Sequence, residues 1–194
     1  MSLLRMYLIA LSTVVLLGAG ALEAQSAPQP GRLDLAAGYN AERTLKANTT
    51  QNFWMQGGSI ELGAEIWHGW GIAADIAGEH AASIGSSGVP FSMVTETFGP
   101  RYRWKSKKKL SFFGEGLIGE ADGFDTVFPG TYAAKSNVST FAVQIGGGVD
   151  YSLSPRFSLR ALEASWVHTQ FPNSTDNKQN NLQLGAGLVL RFGR

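Results

Sequence analysis

Charged side chains in this sequence stand at spacings that would gather them. Glu61 and Glu65, Asp75 and Glu79, and Arg101 and Arg103 are each an even number of residues apart, inside otherwise apolar or small-residue stretches. In an extended chain, residues two apart share a face, so these charges point one way and their apolar neighbours the other. Asp34, Glu115, Asp150, Arg160 and Arg191 obey the same parity in their own segments. Carboxylates and guanidiniums converging on one interior can form a charged conduit or binding site, or an internal ion-pair network that fills the space.

Other chemistry is more weakly signalled. Glu79, His80, Ser165 and His168 supply the acid, nucleophile and base types of an acyl-cleaving enzyme. That reaction needs a base hydrogen-bonded to its nucleophile. Ser165 and His168 are three apart, hence on opposite faces of a strand unless a bulge intervenes. The 3 histidines are scattered without metal-ligand spacing. Gly146-Gly147-Gly148 lacks the Lys and Ser/Thr that complete a phosphate loop. No catalytic residue, metal site or cofactor is therefore assigned. Lys105, Lys107, Lys108 and Lys109 could grip an acidic partner, but read more simply as a solvated turn near anionic headgroups.

The elements that would position these residues are strands. Over residues 181–192, Leu182, Leu184, Ala186, Leu188, Leu190 and Phe192 alternate with Asn181, Gln183, Gly185, Gly187, Val189 and Arg191. An apolar outside against a small or polar inside predicts lipid contact. Further segments of the same period are expected at 33–39, 53–67, 70–79, 92–104, 110–120, 140–152 and 157–168. In the segment 110–120, Glu115 inward takes Phe113 and Leu117 inward too. Pro100 cannot donate to a ladder, so a bulge is expected there, and Glu163 needs another to escape lipid.

The connections alternate long and tight, with tight turns at 68–69, 105–109 and 153–156. This rhythm fits an even-stranded antiparallel barrel with both termini on the periplasmic side and long loops outside the cell. Trp67, Trp70, Tyr102, Trp104, Tyr151, Phe157 and Phe192 fall near the tight-turn end, where an interfacial aromatic girdle belongs. Residues 1–24 read as a cleaved export signal, with Arg5 before an apolar core and small residues at its end. Residues 25–31 read as a flexible lead-in, and 32–194 as one barrel domain. A formal net charge of +1 argues against a nucleic-acid partner, and the absence of cysteine excludes disulfides.

With this export signal, this strand rhythm, Phe98-Gly99-Pro100-Arg101-Tyr102 and the ending from Leu184 to Gly193, the chain resembles the OmpA/OmpX-like family of small outer-membrane β-barrels. The resemblance implies an all-β, eight-stranded, up-and-down transmembrane barrel of the barrel-only kind, without a peptidoglycan-binding domain. It also implies contact with outer-membrane lipids and lipopolysaccharide. Recognition of the C-terminal strand by the outer-membrane assembly machinery follows as well, although Phe192 is succeeded here by Gly193 and Arg194.

An eight-stranded barrel is just wide enough for side chains to fill, which favours an internal plug over a wide porin. The expected function is non-enzymatic: a plugged barrel whose outer loops make surface contacts or support membrane integrity. The alternatives are a narrow solute pore, a lipid-modifying barrel enzyme, and a soluble lipocalin-like barrel with its apolar rows turned inward.

Overall fold

Alternation of apolar with small or polar residues produces strands in β1 (Leu33–Lys46), β2 (Trp54–Trp67), β3 (Trp70–Ala81), β4 (Phe91–Lys105), β5 (Leu110–Phe124), β6 (Val138–Ser152), β7 (Phe157–Thr169) and β8 (Gln179–Phe192). The computed structural model describes residues 32–46, 52–105, 109–130, 133–173 and 177–193. The expected export signal (1–24), the lead-in (25–31) and Lys107 and Lys108 of the basic turn lie outside the described residues.

Every strand pairs antiparallel with its neighbours in sequence, and β1 pairs with β8 from Leu33↔Phe192 to Thr44↔Asn181, so the sheet closes into a barrel. Closure is what hydrocarbon requires, because an open edge would leave backbone N–H and C=O groups without partners. At the seam the chains approach closely: a Cβ added to Gly187 would lie 2.3 Å from the Ala37 carbonyl oxygen.

The rows point as the alternation demands. Ile60, Phe98, Ile145 and Leu188 are 60%, 64%, 56% and 59% exposed, while Glu61, Thr97, Gln144 and Arg191 beside or near them are buried. A lipocalin-like barrel needs the opposite arrangement, and this chain does not adopt it. Phe113, Glu115 and Leu117 all turn inward.

Three expectations need correction. β1 does not give way to a polar loop after Tyr39 but continues to Lys46, because residues 41–44 keep pairing with β2 and β8. This places Glu42 and Thr44 inside. β5 likewise runs on to Phe124. Pro100 causes no bulge: the pairings Phe98↔Ile118 and Arg101↔Glu115 keep one register across it. Glycines flank the site on both strands, and a Cβ on Gly99 would lie only 2.2 Å from the Gly116 carbonyl oxygen. The close approach these glycines permit lets the ladder skip a missing donor without slipping. In β7 a bulge does occur, between Arg160 and Glu163, and it turns the Glu163 carboxyl inward.

Candidate functional site

The interior is layered along the barrel axis. In the half nearest the tight turns, β4, β7 and β8 supply Arg101, Arg103, Arg160 and Arg191, and the facing strands supply acids. Arg101 donates to Glu115 Oε2 through Nε at 2.8 Å and Nη2 at 2.5 Å, and it also pairs closely with Glu61. Arg103 bridges Asp150 at 2.6 Å and Asp34 at 2.9 Å. Arg160 reaches Glu61 at 2.9 Å, Asp150 at 3.2 Å and Glu163 at 2.8 Å. Arg191 meets Asp150 at 3.2 Å and Asp34 at 3.5 Å.

The Phe113 ring lies among these cations, 4.8 Å from the guanidinium carbon of Arg101, 5.4 Å from that of Arg103 and 4.3 Å from that of Arg160. Arg101, Arg103 and Arg160 thus have carboxylates at their edges and an aromatic face beside them, the arrangement that compensates a charge removed from water, while Arg191 has carboxylates alone. Strands β1, β2 and β4 to β8 are tied across the lumen by this one network.

Strand β3 is absent from it. Asp75 is buried with no hydrogen bond or ion pair among the described residues, and Glu79 accepts a hydrogen bond from Gln183 Nε2 at 2.7 Å. Above them, Glu42 accepts one from Asn181 Nδ2 at 2.5 Å. This middle layer holds carboxyls and amides but no arginine. Glu65 stands lower, at the β2–β3 turn, where it accepts the Gly69 amide at 3.2 Å.

The loop end is apolar. Met55, Ala81, Phe91, Met93, Ala121, Phe128, Ala142 and Phe171 form one buried cluster. Phe128 and Phe171 come from the β5–β6 and β7–β8 connections, stacked with ring centroids 5.4 Å apart. Gln179 pins Phe171 by accepting its amide at 2.7 Å and donating to its carbonyl at 2.9 Å.

Of the residues singled out in the sequence, Asp34, Glu61, Arg101, Arg103, Glu115, Asp150, Arg160 and Arg191 meet in the network, whereas Glu65, Asp75 and Glu79 stand apart from it. The aromatic residues Trp67, Trp70, Trp104, Tyr151, Phe157 and Phe192 are exposed and Tyr102 half-buried, all at the tight-turn ends of their strands. Trp70, Tyr102 and Trp104 pack in series, at 4.9 Å and 4.5 Å. Sequence reasoning missed Glu42 and Phe171; the only available signal was that Glu42 and Thr44 prolong the parity of Asp34.

The catalytic candidates do not assemble. Ser165 is buried with no side-chain partner among the described residues, while His168 lies on the other face, its Nδ1 3.0 Å from Asn180 Oδ1 and its ring stacked on Trp166. His80 Nδ1 is 2.8 Å from Ser92 Oγ, but that hydroxyl donates to Asp125 Oδ2 at 2.6 Å. The carboxylate, not the imidazole, takes the serine proton, the reverse of the order that activates a nucleophile. Glu61, Glu115 and Glu163 bring carboxylate oxygens within 4.8 Å of one another, yet Arg101 and Arg160 already pair with them.

Solved structures share this architecture. Neisserial surface protein A aligns with a TM-score of 0.62 at 12% identity, covering 82% of this chain and 97% of that one. Ail, the attachment invasion locus protein of Yersinia pestis, aligns at 0.55 with 22% identity over 84% of this chain and 99% of its own. OprG of Pseudomonas aeruginosa aligns at 0.50 with 10% identity over 87% and 99%. These identities carry the fold and no more. No curated protein matches the chain. The sequence model described as the outer membrane protein beta-barrel domain matches residues 12–192, which together with the closed barrel and its outward apolar rows makes this chain a member of that outer-membrane family.

Proposed function

We propose that this protein is a non-enzymatic barrel whose lumen is plugged and whose outer loops make surface contacts or support the integrity of the membrane. The observation that carries the reading is the network joining Arg101, Arg103, Arg160 and Arg191 to acids on neighbouring and facing strands. Each of these arginines has at least one carboxylate partner, which suits a filled interior better than a charged conduit waiting for ions. Residues 1–24 act as a cleaved export signal, both termini face the periplasm, and the aromatic residues at the tight turns anchor the barrel at the inner interface. Outer-membrane lipids and lipopolysaccharide surround it, and the assembly machinery engages the C-terminal strand.

Single-channel recording in planar bilayers tests the plug. The protein is expected to be silent, and Glu61→Ala combined with Arg160→Ala is expected to produce discrete conductance. Steady conductance from the unaltered protein would replace the plug by the narrow-pore reading. The enzymatic alternative is tested by lipid A acylation, which is expected to be the same with and without the gene for this chain.

A further inference from the structure

The mouth of the barrel contains a cavity of about 230 Å³ above the acidic layer. Phe91, Phe128, Phe171, Met55 and Met93 form its walls, and Asn181 its floor. No charged side chain lines it among the described residues. Its volume lies below the range of drug-sized sites, ~300–1,000 Å³, so it suits a small, single-ring occupant.

The polar groups of the lining select the kind of occupant. The Thr44 hydroxyl is engaged with both the amide and the carbonyl of Phe53, at 2.9 Å and 3.3 Å. Gln179 is committed to Phe171, and the Thr169 hydroxyl donates to Gln179 at 3.3 Å. Asn181 differs. It is 3% exposed, its amide nitrogen is bonded to Glu42, and its Oδ1 has no partner. Immediately behind it, Glu42 is fully buried, its Oε2 also lacks a partner, and no cation pairs with it among the described residues.

A buried, unpaired acceptor costs about 1–3 kcal/mol, and a buried carboxyl can hold its charge only beside a counter-charge. A cation arriving at the floor would relieve both. An anion would meet acceptor oxygens there and a carboxyl behind them. Aromatic faces above the floor attract organic cations and shelter an apolar body.

We propose that this cavity binds a small organic cation with an apolar body, a primary aryl- or alkylammonium, its nitrogen at Asn181 Oδ1 in front of the Glu42 carboxyl and its apolar part among Phe91, Phe128 and Phe171. The inference goes beyond the plugged-barrel reading and does not require passage through the lumen.

The test uses the folded full chain in nonionic micelles, with benzylammonium as the probe, ethylbenzene as its neutral isostere and benzenesulfonate as an anionic counterpart. Binding is read from chemical-shift changes at the Phe91 and Phe171 amides. Saturable binding of the cation is expected, with the isostere at least tenfold weaker, no displacement by the sulfonate, and a tenfold or greater loss of affinity in Glu42→Gln. Absence of saturation, equal affinity for the neutral or anionic compound, or unchanged affinity in Glu42→Gln would each overturn the proposal. Should Glu42→Gln lose heat-modifiable migration and so fail to fold, the ligand series on the unaltered protein decides alone.

Discussion

The two halves of the lumen solve the burial of polar groups differently. Near the tight turns, each guanidinium meets carboxylates on two or more strands, and those of Arg101, Arg103 and Arg160 pack beside Phe113. Toward the loops, Glu42 and Glu79 have only amide partners, and a cluster of phenylalanines and methionines fills the end of the barrel, while Asp75, across from Glu61, has no ion pair among the described residues. In the lower half every arginine has a compensating carboxylate. The upper half has carboxyls without arginines and a cavity, on which the proposed cation binding rests. Stability and binding are thus expected to reside at opposite ends of one small barrel.

Removing one member of the saturated half should produce the largest effect. Arg160→Ala leaves Glu61, Asp150 and Glu163 without a shared cation, and breaking a buried pair in this way costs about 3–5 kcal/mol. Urea unfolding followed by tryptophan fluorescence is expected to show a loss in that range, and a loss no greater than that of Lys135→Ala would erase the contrast between the halves. Phe113→Ala comes next. A buried aromatic truncation costs about 3–5 kcal/mol, and the low end is expected here because the guanidiniums beside the ring keep their carboxylate partners. Phe91→Ala, at the cavity wall, should cost less in the same assay because its neighbours can close around the space; equal losses would argue that the mouth is packed as tightly as the base.

The seam offers an intermediate case. Gly187→Ala drives a methyl group against the Ala37 backbone, whereas Gly116→Ala points one into open space. Folding yield into micelles, read by heat-modifiable migration, is expected to fall for Gly187→Ala and to match the parent's for Gly116→Ala. The smallest effect belongs to Asp75→Asn. An amide replaces a buried carboxyl that has no ion pair, so stability should be unchanged or higher by about 1 kcal/mol. A loss as large as that of Arg160→Ala would mean that the middle layer has a partner of its own.

The inward parity of Asp34, Glu61, Glu115, Asp150 and the arginines was legible because strand period is set by backbone geometry and shows in any alternating stretch. Phe113 and Leu117 were legible for the same reason. The far end of β1 was not, since a polar lumen face and a polar loop have the same composition, and only pairing with β8 distinguishes Glu42 inside from a residue in water. Glu163 required a bulge, a local slip that parity can call for but not locate. Phe128 and Phe171 were hidden because loops have no period at all.

From sequence alone, then, came the number of strands, their facing and their closure in a membrane, because each depends on short-range alternation and on the demand that every backbone group be paired in hydrocarbon. Which inward charges meet was decided only in three dimensions. Height along the axis follows from the register between strands and from where the loops fold back, and those are properties of the closed ring rather than of any one segment.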